Sequence, residues 1–275
     1  MNEICMTLEV SRSGFYDHTN KHRRSRRVQD VVLAQEVSNA FTQSRKTYGT
    51  PRLRYELRDR GHHCGRRRIA RLMRLQGLRA LRKGRFVPRT TDSSHGRKVA
   101  PQRLLEMAPP TKPNQVWITD ITYIPTKEGW VFLAAEIDLF SRNVRGWAAD
   151  DNMETALVIE ALDHAVAKTP GRLAGLIHHS DQGSQYASAD FTTALTQLGI
   201  DQSMSRRANC YDNATAESFW ATLKTECFNN IIPATRAEAK SMIFDYIETF
   251  YNPVRRHSAL GFLSPVAFEN QFNNN

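Results

Sequence analysis

Apolar and polar residues follow two different periods along the chain. Up to about residue 80, apolar residues recur every three or four positions, which predicts helices. A weakly amphipathic helix is expected over 28–41, and two shorter ones over 50–61 and 66–76. Thr50 resembles an N-cap followed by a proline, and glycines close both short helices. Two short helices joined this tightly are typical of a helix-turn-helix.

From residue 116 onward the pattern changes to strand-like apolar runs. Strands are predicted at Val116 to Ile124, Trp130 to Ile137 and Val144 to Ala149, followed by a helix from Glu154 to Lys168. A short strand from Leu176 to Ser180, a helix, another strand and a last helix over 211–228 come next. Three strands on short connections predict an antiparallel meander, and the later alternation predicts parallel additions to the same sheet. The fold class is therefore α/β with a mixed five-stranded sheet.

Prolines, serines and threonines divide these two parts. They accumulate between residues 87 and 109, where the composition favours a linker. We therefore predict an N-terminal helical segment over 1–44, a helix-turn-helix-like region over 45–86, a linker over 87–109 and a larger domain over 110–275.

The positive charge is confined to the first third of the chain. Residues 1–98 contain 24 Lys and Arg against 8 Asp and Glu, so the remaining 14 bases and 20 acids leave the overall net charge at +10. Such a basic segment indicates a polyanion partner, above all nucleic acid. In a helix-turn-helix the second helix enters the major groove. The candidates for DNA contact are Arg66, Arg67, Arg68 and Arg71, and which of them reads bases stays open.

Three acids occur in settings that favour a metal site. Asp120 interrupts an apolar strand, Asp181 follows the short strand directly, and Glu217 lies on the last helix. Carboxylate oxygens suit Mg²⁺ or Mn²⁺, and two such ions can clamp both oxygens of a phosphoryl displacement. Lys224 follows Glu217 by two helical turns and shares its face, where an amine can meet a phosphate. Spacing alone does not show that these residues meet.

Six ordered motifs carry a family resemblance that covers nearly the whole chain. They are LEVSRSGFY, YGTPRLRYEL with RRIARLMRLQGLRA, WITDITYI, HHSDQGSQY, NCYDNATAESFWATLK and YNPVRRHSALGFLSP. The chain resembles the OrfB-type transposases of bacterial insertion sequences of the IS-three family, within the superfamily of transposases and retroviral integrases. The resemblance implies a ribonuclease H-like catalytic domain, a catalytic and metal-binding triad of Asp120, Asp181 and Glu217 with two Mg²⁺ or Mn²⁺ ions, and DNA contact by Lys224.

Further DNA contacts are expected around this triad. Gln185, Tyr186 and Tyr211 flank it, and Arg255 and Arg256 lie in a basic, aromatic C-terminal stretch that could follow a nucleic-acid backbone. Alternatively, Tyr251 and Leu260 dock that stretch on the catalytic domain.

The predicted function is metal-dependent cleavage and strand transfer of double-stranded DNA, both terminal repeats and target. Two alternatives remain: a DNA-binding regulator that does no chemistry, and a ribonuclease H-type nuclease without strand transfer. We expect a homo-oligomer, and the family adds a possible upstream reading-frame product as partner. The four cysteines show no disulfide framework, His62, His63 and Cys64 lack the spacing of a zinc site, and no apolar run could span a membrane. We therefore expect a cytoplasmic protein that works at the nucleoid.

Overall fold

A computed structural model describes residues 2–7, 9–19, 21–81, 99–104, 107–205 and 214–274, without the side chains of 2–3, 17–19 and 21–27. The chain divides into two compact units, Met1–Leu81 and Arg82–Asn275. Among the described helices, none combines the length and the apolar character needed to cross a membrane.

Regular structure in the described part of unit 1 is entirely helical. The helices are α1 Asn2–Thr7, α2 Arg12–Thr19, α3 Lys21–Gln43, α4 Thr50–Asp59 and α5 Arg66–Leu75. The N-cap of α4 is Gly49, one residue before the predicted Thr50, which is itself helical. Gly61 and Gly77 follow α4 and α5 with φ values of +83° and +67°, the left-handed conformation that ends a helix.

The apolar stripes of α4 and α5 face a common core with α3. Each stripe is buried, and so is the inner face of α3. The core residues are Leu33, Val37, Phe41, Leu53, Leu57, Ile69, Leu72 and Met73. Arg66, Arg67 and Arg74 of α5 are thereby left exposed, as the sequence pattern predicts, whereas Arg68 is half-buried against α3.

Unit 2 is built on the predicted mixed five-stranded sheet. Its strands are β1 Val116–Thr126, β2 Gly129–Asp138, β3 Val144–Asp150, β4 Ile177–Ser180 and β5 Asp201–Met204. The order across the sheet is β3-β2-β1-β4-β5, with the first three strands antiparallel and β4 and β5 added in parallel. The meander and the parallel additions are thus confirmed.

One face of the sheet is covered by α6 Thr155–Lys168 and α7 Ala189–Leu198. Trp117 and Ile121 of β1 pack in this core with Leu157 and Phe191 of the two helices. At Gly146 the helix α6 approaches β3 so closely that a Cβ atom would lie 2.3 Å from the Ala161 carbonyl oxygen and from the Ala165 nitrogen. Glycine is therefore required there for space and not for its φ angle.

The other regular elements described in unit 2 are helical. They are α8 Ala214–Leu223, a π-helical turn Lys224–Phe228, α9 Arg236–Phe244, a second π-helical turn Asp245–Tyr251, a 3₁₀ turn Ser258–Leu260 and α10 Pro265–Asn273. The predicted last helix over 211–228 is therefore α-helical only to Leu223, and its first three residues lie outside the described part. Ala216, Phe219 and Leu223 are buried, because they form the inner stripe of α8.

The C-terminal stretch docks on the sheet. The Asn252 side chain accepts a hydrogen bond from the Val144 backbone nitrogen and donates one to the Val144 carbonyl, both at 3.0 Å. Tyr251 and Leu260 are buried. Of the two sequence-based interpretations of this stretch, docking is the one that its described contacts support.

Candidate active site

Asp120 and Asp181 lie on neighbouring parallel strands or directly after them. β1 pairs with β4 so that Ile118 lies opposite His179. Each acid comes two residues after that pair, so the register carries the two residues to corresponding positions just beyond the last pair of β1 and β4. Ligands of open α/β sheets bind at the carboxyl ends of parallel strands.

The carboxylate of Asp120 is held by two donors. The Ile121 backbone nitrogen donates to Oδ1 at 2.8 Å, and the indole Nε1 of Trp220 donates to Oδ2 at 3.1 Å. Burial and the negative charge of Asp181 raise the pKa of Asp120 to about 7, with a further contribution from the charge of Glu217. The charges of Asp181 and Glu217 thus disfavour ionisation of Asp120, and a bound cation would relieve that repulsion.

Trp220 connects Glu217 with Asp120, because it lies on the same helix as Glu217 and donates a hydrogen bond to Asp120. Glu217 lies exposed in the first turn of α8, three residues before Trp220 on the same helix. Arg142 donates a hydrogen bond to the Thr215 hydroxyl, which holds the start of α8 against the β2–β3 turn. Asp181 is oriented by its own turn, because the Gly183 backbone nitrogen donates to its Oδ1 at 2.9 Å.

The chemistry of these donors fits hard divalent cations. Asp120, Asp181 and Glu217 contribute carboxylate oxygens only, which is the ligand type of Mg²⁺ and Mn²⁺. In the described residues, however, no three His, Cys, Asp or Glu side chains already form a closed metal cluster. In the described structure the three acids therefore interact through their charges.

Lys224 completes this neighbourhood. It is the first residue of the π-helical turn that continues α8, and its Nζ lies 5.0 Å from the centroid of the Tyr123 ring. Burial lowers the pKa of Lys224 to about 8, although the charge of Asp120 opposes this shift. The amine is still mostly protonated at neutral pH, and its Nζ is buried.

Two of the residues predicted to contact DNA have buried side chains. Tyr186 is 1% exposed, and its hydroxyl shares a 3.1 Å hydrogen bond with Thr119 in the core of the sheet. Arg255 is 3% exposed and forms a two-pronged ion pair with Glu226, at 2.6 and 2.7 Å. Neither group presents a polar atom to a ligand outside.

The other predicted DNA contacts differ in how accessible they are. Gln185 is half-buried and donates to the Met153 carbonyl at 2.9 Å, and Arg256 is half-buried and donates to the Phe262 carbonyl at 3.1 Å. Tyr211 lies outside the described residues. In unit 1, Arg66 and Arg67 are exposed, whereas Arg68 and Arg71 both donate to the Asp30 carboxylate of α3. The sequence alone does not reveal this internal acid.

Sequence reasoning also missed a buried ionisable pair in the core beside the site. His178 Nε2 lies 2.9 Å from Glu136 Oε2, and neither side chain has any exposed surface. Glu136 interrupts the apolar run VFLAAEIDL, the same signal that singled out Asp120. A rule that looked for every acid inside an apolar strand would have found both.

Models of known protein families match both units of the chain. A model described as Integrase core domain matches residues 110–210, and a second with the same description matches residues 198–265. A model described as HTH-like domain matches residues 28–86. The family models thus cover both the basic helices and the sheet.

Solved structures also resemble the chain, at sequence identities of 18% and 19%. A chain of the simian T-cell lymphotropic virus intasome in complex with the PP2A regulatory subunit B56 gamma is 19% identical, with a TM-score of 0.49, over 75% of this chain and 67% of its own. The HTLV-2 integrase catalytic core domain in complex with magnesium, in its trimeric form, is 18% identical, with a TM-score of 0.46, over 58% and 98%.

Curated relatives match along nearly the full length. The uncharacterized 31 kDa protein of insertion element IS600 from Shigella sonnei is 44% identical over 98% of both chains. Transposase InsF for insertion sequence IS3A of Escherichia coli (strain K12) is 41% identical over 98% of this chain and 93% of its own. The transposase for insertion sequence element IS904 of Lactococcus lactis is 40% identical over 90% and 98%. With an HTH-like domain followed by an integrase core domain, and with these relatives, the chain belongs to the transposases of the IS3 family.

Proposed function

We propose that this chain cuts and joins DNA strands at the ends of an insertion sequence, with Asp120, Asp181 and Glu217 as its catalytic, metal-binding residues. The observation that carries the proposal is geometric. The pairing of β1 with β4 brings Asp181 beside Asp120, and Trp220, on the same helix as Glu217, donates to the Asp120 carboxylate. Burial raises the pKa of Asp120, and the charges of Asp181 and Glu217 add to this shift. A site that concentrates negative charge in this way favours a divalent cation.

The residues around the three acids have separate parts in the reaction. Trp220 and the Ile121 backbone nitrogen fix the orientation of the Asp120 carboxylate, and the Gly183 nitrogen fixes that of Asp181. Lys224 would hold a phosphate of the DNA beside the acids. Two Mg²⁺ or Mn²⁺ ions bound by the three carboxylates would supply an activated water or 3′-hydroxyl and stabilise the leaving oxygen.

The basic first unit would supply DNA affinity. The exposed Arg66 and Arg67 of α5 are the better placed for phosphate or base contact, because Arg68 and Arg71 already bind Asp30. The DNA partners are the terminal repeats and the target duplex. Holding two ends together requires a homo-oligomer, an upstream reading-frame product is a further possible partner, and the place of action is the nucleoid in the cytoplasm.

The first test replaces Glu217 by Gln and measures nicking and joining of a labelled duplex that carries the element's own terminal repeat, in Mg²⁺. We expect both reactions to fall by more than about a hundredfold, because the variant loses a charged metal ligand. Glu160→Gln, an exposed acid on α6, is the matched control and should behave as the wild type.

The same assay separates the alternatives. Nicking without joining in the wild type would indicate a nuclease of the ribonuclease H type. Binding without cleavage in both proteins would indicate a regulator, or a requirement for the upstream product. Wild-type rates in Glu217→Gln would remove this acid from the site.

A second prediction concerns Gly183. A Cβ at this position would lie 3.0 Å from Asp181 Oδ1 and 3.2 Å from Gln185 Oε1, so an alanine must displace the carboxylate or the amide. We expect Gly183→Ala to lower nicking between about tenfold and a hundredfold, since small misplacements of reacting groups are costly. Ser184→Ala, in the same turn, should retain most of the activity. Equal rates for the two variants would contradict a role for the Asp181 carboxylate.

A further inference from the structure

Trp130 exposes a large aromatic surface near the start of β2. Its side chain is 49% exposed, although burying an aromatic ring of this size is strongly favourable. The indole packs edge-to-face on Tyr123 of β1, with the ring centroids 4.9 Å apart and an interplanar angle of 88°. The Trp130 side chain therefore packs in part on Tyr123 and exposes about half of its surface to solvent.

Tyr123 connects Trp130 to the candidate active site. It lies three residues after Asp120 on β1, and the Lys224 ammonium lies 5.0 Å from its ring centroid. Lys224, Tyr123 and Trp130 thus form a continuous row, called here the aromatic row. Together these two distances place the centroid of the Trp130 ring within about 10 Å of the Lys224 Nζ. This distance corresponds to about three nucleotide steps along a DNA strand.

The turn that presents Trp130 is held in place from outside the sheet. The Lys127 backbone nitrogen donates to the Pro233 carbonyl at 3.0 Å, and the Arg236 nitrogen donates to Glu128 at 2.8 Å. The Arg236 guanidinium donates to the Trp130 carbonyl at 3.3 Å and to Asp151 at 3.2 Å. A ring on such a fixed turn loses little conformational entropy when it binds a ligand.

We propose that Trp130 stacks on a nucleobase of the DNA strand whose phosphate Lys224 holds. The proposal rests on the proposed function, because it takes that strand as the occupant of the site. Aromatic side chains stack on any base, and a base can reach an aromatic ring only after leaving the duplex stack. The aromatic row therefore binds a frayed or flipped base within about three nucleotides of the reacting phosphate. A cation at one end and an aromatic face at the other match the phosphate and the base of one strand, which favours DNA over a protein partner.

The test compares full-length wild type, Trp130→Ala and Trp130→Phe, each also carrying Asp120→Asn so that the DNA stays intact. The probes are terminal-repeat duplexes with 2-aminopurine at one of the first three positions on either side of the cleaved bond, and the same duplexes with an abasic site there. Affinity and 2-aminopurine fluorescence are measured. Phe244→Ala is the control, since Phe244 is a comparably exposed aromatic residue, at 55%, in the same unit.

We expect one position to report stacking that Trp130→Ala abolishes and Trp130→Phe retains. Trp130→Ala should weaken binding of the intact duplex roughly tenfold. It should have no effect on the duplex with an abasic site at that position, because the stacking partner is already gone. Phe244→Ala should change neither quantity.

Three results would overturn the proposal. They are equal losses on intact and abasic DNA, no responding position, and a change of oligomeric state without DNA, which would assign Trp130 to an interface between copies. Because no cleavage is needed, these outcomes are independent of nicking. A wild type that binds and stacks but never nicks in Mg²⁺ would fail the proposed function and leave the stacking site standing.

Discussion

Replacing Asp120 by Asn should abolish both nicking and joining while DNA binding stays nearly unchanged. The substitution keeps the size of the side chain and one acceptor for Trp220 or Ile121, but it removes the charge that a divalent ion needs. We expect a loss of about a thousandfold or more in Mg²⁺, the scale of removing a group that stabilises transition-state charge. The measurement is the terminal-repeat assay with a parallel binding titration. Cleavage retained by the variant would refute the metal assignment.

The same variant should also change how stability depends on pH in the absence of metal. The pKa of Asp120 is raised from 3.8 to about 7, so the folded protein binds this proton more tightly than the unfolded chain does. The stability that comes from this proton is fully present below the unfolded pKa and is lost as pH rises toward 7. The amide that replaces the carboxyl group does not titrate. The stability of Asp120→Asn relative to wild type should therefore rise by about 2 kcal/mol between pH 5 and 7, measured by urea unfolding in chelator.

Gly146→Ala should destabilise unit 2 strongly, because an added methyl group has less space at Gly146 than at the other described glycines. The added Cβ would meet backbone atoms of α6 at 2.3 Å and the Ala165 Cβ at 2.7 Å, and backbone cannot rotate away as a side chain can. The helix must shift, at a cost of about 3 kcal/mol or more. Tryptophan fluorescence during denaturant unfolding reports on this unit, which contains all four tryptophans.

The matched control adds an atom to the same helix on its exposed side. Ala167→Ser should change the unfolding free energy by less than about 0.5 kcal/mol. Similar unfolding midpoints for Gly146→Ala and Ala167→Ser would show that the contact between α6 and β3 is looser than the structure indicates.

The sheet and the placement of two acids could be predicted from the sequence because both depend on local signals. Asp120 interrupts an apolar strand and Asp181 follows one. The parallel pairing of these two strands brings the two acids to corresponding positions. Glu217 carries a weaker signal, because acids are common on exposed helix faces, and the family resemblance is what assigns it to the triad.

The environments of Arg255 and Tyr186 could not be predicted from the sequence, because they depend on burial and on partners that are distant along the chain. Arg255 sits in a basic motif that suggests nucleic acid, but its charge is neutralised by Glu226, 29 residues away. Tyr186 likewise follows a turn expected to line the site, yet its ring points into the core against Phe191. Neither partner is visible in a pattern that is read residue by residue.

The π-helical turn after α8 has a consequence for how this protein can change over generations. A π-helical turn holds one more residue than an α-helical turn, and such turns commonly correspond to a single inserted residue. Here Lys224 begins the turn, and Glu226 within it accepts from Arg255 and from the Tyr246 hydroxyl. Deleting one residue from the turn would leave Glu217 in place but rotate Glu226 away from both donors and strand the Arg255 charge in the interior. We therefore expect a one-residue deletion within 224–228 to destabilise unit 2, because it would leave the Arg255 charge buried without its partner.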